Sequence, residues 1–290
     1  MKLHLVDGTY ELFRAFYAPG PSRHTPDGID VKATRGFVMT MGALLRQDDV
    51  THVAVAFDSV VESFRNEIYA GYKTGSEIPE DLLSQFPLAE RAIRAIGATV
   101  WPMYEYETDD AIATAAFRWV DEVEQVVVMS PDKDMAQLYG SPKIVGYNVR
   151  TGQFLDGDGV IAKFGVSPES IPDYLALVGD KADGFPGLKG WGSKSASIVL
   201  AKYGHIEDIP LDPSLWNLPL RGVENLAVSL RAGIGEVLLY RYLALLRRDV
   251  PLPDSLDALE WKGVPRYVFE DLCDSLGFDT LRDRPTRWVG

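Results

Sequence analysis

The sequence predicts an α/β fold: a mainly parallel sheet flanked by helices, followed by a smaller helical region. Three observations carry that prediction. Short apolar, β-branched runs alternate with helix-period stretches through the first 150 residues. Strand signals fade after about residue 155 and helical segments take over. The 290 residues lie at the top of what one core supports, so one large domain or about two are expected.

The elements follow in order. Residues 3–6 (LHLV), 53–57 (VAVAF), 98–101 (ATVW), 125–129 (QVVVM) and 143–149 (KIVGYNV) have the form of buried strands. Between them, 31–47, 80–96 and 109–121 place apolar residues three and four apart with charges opposite, which predicts amphipathic helices. Strand, helix and strand alternating predict parallel pairing. Further on, 167–178, 193–203 and 233–248 read as helices, and 205–225, with prolines at 210, 213 and 219, as an irregular surface connection. No fixed-period repeat, low-complexity tract or long Ser/Gly linker appears, so the second region is expected to pack on the first.

Composition excludes several classes. With 46% apolar and 24% charged residues, 26 Gly and 18 Pro, the chain is neither disordered, collagenous nor a coiled coil. Cys273, the single cysteine, permits no disulfide within the chain and no thiolate cluster, and reads as a core thiol in a reducing, cytoplasmic setting. No run approaches the ~18–20 apolar residues of a membrane helix, and the strand-like KLHLVD start is no signal peptide. A soluble protein with no membrane partner is expected. The net charge of −13 argues against the simplest nucleic-acid binder.

The placement of the acids answers that objection. Asp7 follows LHLV, Asp58 follows VAVAF, and Asp132 and Asp134 follow VVVMSP. Ligands of open parallel sheets sit beyond the carboxyl ends of the strands. Glu107, Asp109 and Asp110 come after ATVW at the start of a helix, and Asp180 and Asp183 form an i, i+3 pair after YLALVG. Singly, each has a bland reading: an Asx cap after a strand, an N-cap in Thr108-Asp109-Asp110, a solvated turn in Asp132-Lys133-Asp134. Jointly, nine acids at one sheet edge would repel by several kcal/mol unless cations sat among them. Without these nine the balance is −13 + 9 = −4. With no Cys, and with His4, His24, His52 and His205 outside these segments, the donors suit Mg²⁺ or Mn²⁺ rather than zinc. Two such ions at a phosphodiester favour its hydrolysis.

Residues 186–196, PGLKGWGSKSA, lie between helical segments. Gly187, Gly190 and Gly192 permit a tight helix-hairpin-helix turn, and the amides of the next helix, with Ser193 and Lys194, can meet a phosphate whatever the bases. The alternative is a loop whose glycines only end one helix and begin another. A hairpin of this kind is also a candidate holder of a monovalent cation such as K⁺.

With ExDD, DxD, GDxxD and this hairpin in order, the chain resembles the bacterial 5′-3′ exonuclease and flap endonuclease family, either its freestanding form or the amino-terminal nuclease domain of a type I DNA polymerase. The resemblance runs from LVDGTYELFRAFYA through FDS, FRNEIYAGYK, YETDDAIAT, SPDKDMAQL, YLALVGDKADGFPG and GLKGWGSKSA to LLRRDVPLP. It implies a PIN-like, Rossmann-related nuclease core over 1–165 with a helical arch at about 65–95, and a helical region with the hairpin over 166–290. It implies two divalent metals held by the nine acids, and Arg65 and Lys73 offsetting charge at the scissile phosphate. The implied partner is DNA with a 5′ flap or free 5′ end, or an RNA primer in a hybrid, in replication and repair, and the chain is read as a monomer.

Three positions depart from the family pattern. Ser76 stands where an arginine is usual after YK, Pro131 where glycine is frequent, and Gly184 where asparagine is usual. Between 65 and 95, Arg65, Lys73, Arg91 and Arg94 face five acids, Glu67, Glu77, Glu80, Asp81 and Glu90, so a weaker grip on single strands is expected. The competing readings are a PIN-type ribonuclease, which needs neither the hairpin nor nine acids, and a branched-DNA binding module without catalysis. An aspartyl phosphatase would want a second Asp two residues after Asp7, and position 9 is threonine.

Overall fold

A computed structural model describes residues 1–290. Its elements run β1 (Lys2–Asp7), α1 (Gly8–Tyr17), α2 (Lys32–Leu44), β2 (His52–Asp58), α3 (Phe64–Ile68), α4 (Glu80–Leu83), α5 (Phe86–Ala95), β3 (Thr99–Met103), α6 (Thr108–Trp119), β4 (Gln125–Met129), β5 (Ile144–Asn148) and β6 (Gln153–Leu155). There follow α7 (Gly157–Phe164), α8 (Ile171–Val178), α9 (Ser193–Tyr203), α10 (Val223–Ala232), α11 (Ile234–Ala244), β7 (Val264–Pro265), α12 (Arg266–Leu276) and β8 (Trp288–Val289). None of these helices is long and apolar enough to cross a membrane. Contacts divide the chain into two compact units, the first Met1–Ser63, Thr74–Ser130 and Arg248–Gly290, the second Phe64–Lys73 and Pro131–Arg247.

The first unit is built on four parallel strands in the order β3-β2-β1-β4. Leu3, Leu5 and Val6 of β1, Val53 and Val55 of β2, and Val126 and Val128 of β4 are buried without alternation, as expected of strands covered on both faces. The chain moves outward from β1 through β2 to β3, then crosses back to β4 on the other side of β1. Strand order therefore reverses between β1 and β4, the place where open sheets hold ligands. Close packing sets α1: a Cβ on Gly8 would lie 2.7 Å from the Ala56 carbonyl, and one on Gly36 of α2 would meet Ala15 at 3.0 Å. The last segment of the chain closes over this sheet. Trp261 donates from its backbone to Thr51 O (2.9 Å) and from its indole to Ile96 O (2.9 Å), and the Trp101 indole donates to Asp254 (2.8 Å).

In the second unit β5 and β6 form an antiparallel hairpin, turned by Asn148, whose side chain accepts from the backbone of Arg150 and Thr151. Helix α8 packs on α9 and α11. The buried Asp173 of α8 ties that frame together, accepting from His205 Nδ1 (3.0 Å), the Ile206 amide (3.2 Å) and Arg241 Nη1 (3.2 Å).

Several expectations change in detail. The helix expected over 80–96 is two, because Pro87 lies in the first turn of α5 and starts a new helix there. The arch expected at about 65–95 is not one element: α5 is a core helix, with Phe86, Ala89, Ala92 and Ile93 buried against α2 and β3. The helix expected over 233–248 ends at Ala244, where Leu245 turns extended. The 205–225 connection is irregular but anchored, since Trp216 is fully buried with its indole donating to Pro210 O (2.6 Å).

Candidate metal centres and nucleic-acid hairpin

In the first unit, five of the nine acids stand at strand ends and at one helix start. Asp7 ends β1 and caps α1: its Oδ1 accepts from the Tyr10 amide (2.8 Å), and its Oδ2 from the Ser130 hydroxyl at the end of β4 (2.9 Å). That bond spans the point of strand-order reversal. Asp58, ending β2, accepts from the Thr108 amide (2.7 Å), while its own amide donates to Thr9 Oγ1 (2.8 Å). Glu107 is the N-cap of α6 in a capping box with Asp110, whose Oδ2 accepts from the Glu107 amide (3.1 Å). The Ser63 hydroxyl donates to Glu107 Oε1 (2.8 Å). Asp7, Glu107 and Asp110 are buried, Asp58 and Asp109 half-buried. A cleft of about 700 Å³ opens beside Asp58, with Phe86, Arg94 and Tyr104 in its lining.

The second unit brings together three of the other four. Asp134, Asp180 and Asp183 are buried and offer carboxylate oxygens within 4.8 Å of one another. Asp132 is exposed and turns the chain, accepting from the Asp134 amide (3.0 Å). Asp180 accepts from the Ala182 amide (2.9 Å) and pairs through Oδ2 with Lys133 Nζ at 2.6 Å. Asp183 pairs with Lys73 Nζ at 3.1 Å. The Oδ1 atom of Asp134 is buried with no hydrogen-bond partner. Burial, with the charges of Asp183, Asp132 and Asp180, pushes the Asp134 carboxyl well above the ordinary carboxylate range. A buried, unpartnered carboxylate oxygen among all-oxygen donors fits a hard divalent cation.

Glycine shapes this loop. Gly184 has φ +88°, and a Cβ there would lie 2.1 Å from the Gly71 carbonyl, so the departure from asparagine has a steric cause. Arg65, expected beside the scissile phosphate, is 1% exposed, and its Nε and Nη2 donate to the carbonyls of Leu243 (2.8 Å) and Leu245 (3.1 Å) at the end of α11. A guanidinium so engaged satisfies the open carbonyls of a helix C-terminus.

The glycine hairpin joins α8 to α9. Gly190 (φ +87°) and Gly192 have open space where a Cβ would stand, and Ser193 and Lys194 are exposed at the first turn of α9. Gly187 serves another end: its Cβ position is 2.4 Å from the Gly179 amide nitrogen, so it lets the loop close on itself. Trp191 is buried beneath the hairpin, its indole donating to Leu226 O (3.3 Å).

Sequence reasoning missed the hydroxyls of Thr9, Ser63 and Ser130, the amide of Thr108 and the ammonium of Lys133. Their signal lay in adjacency: Thr9, Thr108, Ser130 and Lys133 all stand within two residues of a proposed ligand.

Strand-end carboxylates on a parallel α/β sheet, an all-oxygen acid group and a glycine hairpin define a metal-dependent nuclease. Comparison with known proteins gives the particular kind. The family described as 5′-3′ exonuclease, N-terminal resolvase-like domain, matches residues 2–165, and the 5′-3′ exonuclease, C-terminal SAM fold, matches residues 166–266. A 5′-3′ exonuclease of Aquifex aeolicus is 36% identical over 208 residues, 71% of this chain and 71% of its own. DNA polymerase I of Bacillus caldotenax is 35% identical over 288 residues, 98% of this chain. The chain spans about a third of the length of the DNA polymerase I sequences it matches, 32% in that case. Among solved structures, bacteriophage T5 5′-exonuclease with bound zinc superposes with a TM-score of 0.68 at 20% identity, over 95% of this chain and 99% of that one. The catalytic core of Rad2 in complex with DNA substrate gives 0.60 at 18%, over 95% and 88%. These two show the fold. The chain belongs to the 5′-3′ exonuclease family of phosphodiester hydrolases, the family that also holds flap endonucleases.

Proposed function

We propose that this chain is a structure-specific 5′-nuclease that hydrolyses DNA phosphodiesters at a free 5′ end or a 5′ flap, without regard to base sequence, using two Mg²⁺ or Mn²⁺ ions. The observation that carries this reading is the buried, unpartnered oxygen of Asp134 among Asp180 and Asp183. An anion there without a cation is costly, and hard divalent ions relieve it.

In this reading Asp7, Asp58, Glu107, Asp109 and Asp110 hold one ion, and Asp132, Asp134, Asp180 and Asp183 the other. When bound, the ions supply a water of lowered pKa and offset charge on the attacking and leaving oxygens. The chain's own residues do the rest. Ser130, Thr108 and Ser63 fix the carboxylates of Asp7, Asp58 and Glu107, so the donor set needs little reorganisation. Lys73 is proposed to offset charge on the phosphoryl oxygens in the transition state. Arg65, buried against α11, positions the segment that carries Lys73 rather than touching the phosphate. Gly190, Gly192, Ser193 and Lys194 are proposed to hold a duplex phosphate, and the hairpin carbonyls a K⁺ ion. Residues 1–165 would then carry most of the chemistry, and 166–290 the grip on the duplex together with the ligands Asp180 and Asp183. Primer and flap removal by a monomer in the cytoplasm is the corresponding role.

The test is a Mg²⁺ and Mn²⁺ titration on end-labelled flap, nicked, blunt and matched RNA substrates, with product lengths read out. Metal-dependent cleavage at the flap junction or stepwise from the 5′ end of DNA is expected, lost with EDTA. No cleavage of any DNA at any metal concentration would overturn the reading, and preference for the RNA strand would replace it with a PIN-type ribonuclease.

A further inference from the structure

We infer that Lys133 is a resident counter-cation of the Asp134–Asp180–Asp183 group, and that a divalent ion enters that group by displacing its ammonium from Asp180. The inference rests on the metal reading above and goes further: it assigns a residue that competes with the metal.

Four observations support it. Lys133 Nζ lies 2.6 Å from Asp180 Oδ2, and Asp180 is 2% exposed. The same carboxylate is one of three whose oxygens lie within 4.8 Å of one another, so the ammonium stands at the edge of the space a cation would share. The other Asp180 oxygen is committed to the Ala182 amide at 2.9 Å, so Oδ2 is the atom available to a metal. Lys133 itself is tied by little else that would resist movement: its side chain is 36% exposed on a four-carbon stem. Lysine is suited to such a post, being a point charge that offsets a carboxylate without a fixed bidentate geometry.

Lys73 is different. Its ammonium pairs with Asp183 at 3.1 Å, but its amide also donates to Asp183 O (3.0 Å) and its carbonyl accepts from Asn66 (2.9 Å), so that lysine is built into the loop. The exchangeable cation is Lys133. On metal entry the ion pair breaks, the carboxylate oxygen passes from ammonium to metal, and the ammonium is taken up by solvent. The exchange keeps the group close to neutral in both states and holds the buried carboxylates apart until the ion arrives.

The experiment measures binding, not cleavage. Mn²⁺ is titrated into the DNA-free protein by calorimetry and by EPR of the free ion, for the wild type, Lys133→Met and Lys133→Arg. One of the two sites is expected to tighten about fivefold or more in Lys133→Met, since an ion pair no longer competes, and to stay within about twofold of the wild type in Lys133→Arg. Unchanged or weaker Mn²⁺ binding in Lys133→Met would overturn the inference while leaving the metal centre standing. No Mn²⁺ uptake by the wild type would sink the metal reading itself. A second measurement needs no variant: acetylation of Lys133 in the wild type, followed by mass spectrometry, is expected to speed up when Mg²⁺ is added. An unchanged or slower rate would overturn the inference even if Lys133→Met failed to fold.

Discussion

The acids of the two units differ in the partners seen to hold them. In the first unit the carboxylates of Asp7, Asp58 and Glu107 meet fixed neutral donors: the Tyr10 and Thr108 amides and the hydroxyls of Ser130 and Ser63. In the second unit Asp180 and Asp183 meet ammonium groups, and one oxygen of Asp134 meets none. Backbone amides at a strand end or a helix start cannot leave, so the first group keeps its shape whether or not a cation is present. Ammonium groups on flexible stems can leave. The second group is therefore the one whose energetics depend on which cation occupies it.

The largest expected effect separates chemistry from stability. Asp134→Asn and Asp58→Asn should each slow metal-dependent cleavage by roughly 10²–10³-fold or more, since each removes a charged donor from a proposed ion site. Their stabilities in EDTA should differ. Asp134→Asn removes a buried carboxyl with one unpartnered oxygen from among like charges and should raise stability by about 1 kcal/mol, a shift of a few degrees in Tm. In Asp58→Asn the amide oxygen can still accept from Thr108, so no gain is expected. Flap binding in EDTA should survive in both. Thermal melts with and without Mg²⁺ check this, and an equal gain in both variants would erase the contrast between the groups.

Next in size is a pair of histidines with opposite pH signatures, one in each unit. Burial holds the His4 imidazole down to about 4 from 6.5, against the opposing charge of Asp49. Its Nδ1 has no partner. The unfolded chain thus takes up a proton at a pH where the folded one does not. The stability it contributes is complete above pH 6.5 and is lost as the pH falls toward 4, by up to about 3 kcal/mol. His205 runs the other way. Its bond to Asp173, opposed by partial burial and aided by the charges of Asp173, Asp208 and Glu207, raises its pKa. That contribution is complete below 6.5 and fades as the pH rises through the folded value; with half its side chain in water it is screened and small. Urea unfolding from pH 4 to 8 should show a flattened acid limb in His4→Leu and a reduced advantage near pH 6 in His205→Asn. The same slope in His4→Leu as in the wild type would mean the acid loss lies elsewhere in the molecule.

The sequence made the sheet legible because parallel strands buried on both faces are written as unbroken apolar runs: LHLV, VAVAF and QVVVM each became a strand within two residues of the expected limits. The acids were legible because they end those runs. What stayed hidden was set by tertiary contact. Helix α1 begins directly at Asp7, so one carboxylate ends the strand and caps the helix with no loop to mark the change. Arg65 reads as an exposed cation in FRNEI, yet the end of α11, nearly 180 residues further on, takes its guanidinium. Gly184 reads only as a departure from the usual asparagine, and the reason glycine fits there is the carbonyl of Gly71. Lys133 reads as a spacer between two aspartates, whereas its partner is Asp180. Local pattern reports which face of an element is buried and says nothing of which distant atom arrives there.

The smallest effect is also the most direct comparison of the two means of holding an acid. Ser130→Ala removes the hydroxyl that donates to Oδ2 of the buried Asp7 carboxylate and should cost about 1–2 kcal/mol in EDTA. Because that bond is buried and the donor neutral, the cost should be the same at about 0.05 M and about 0.5 M salt, which roughly bracket the range over which exposed charges become screened. The Lys133–Asp180 pair should behave otherwise. A double-mutant cycle of Lys133→Met with Asp180→Asn should give about 1 kcal/mol, the upper end for a pair whose lysine is partly solvated. That coupling should shrink as salt rises. If instead the Ser130→Ala penalty fell with salt while the Lys133–Asp180 coupling held steady, the carboxylates of the first unit would be the ones that depend on mobile cations, and the assignment of fixed and exchangeable partners would have to be reversed.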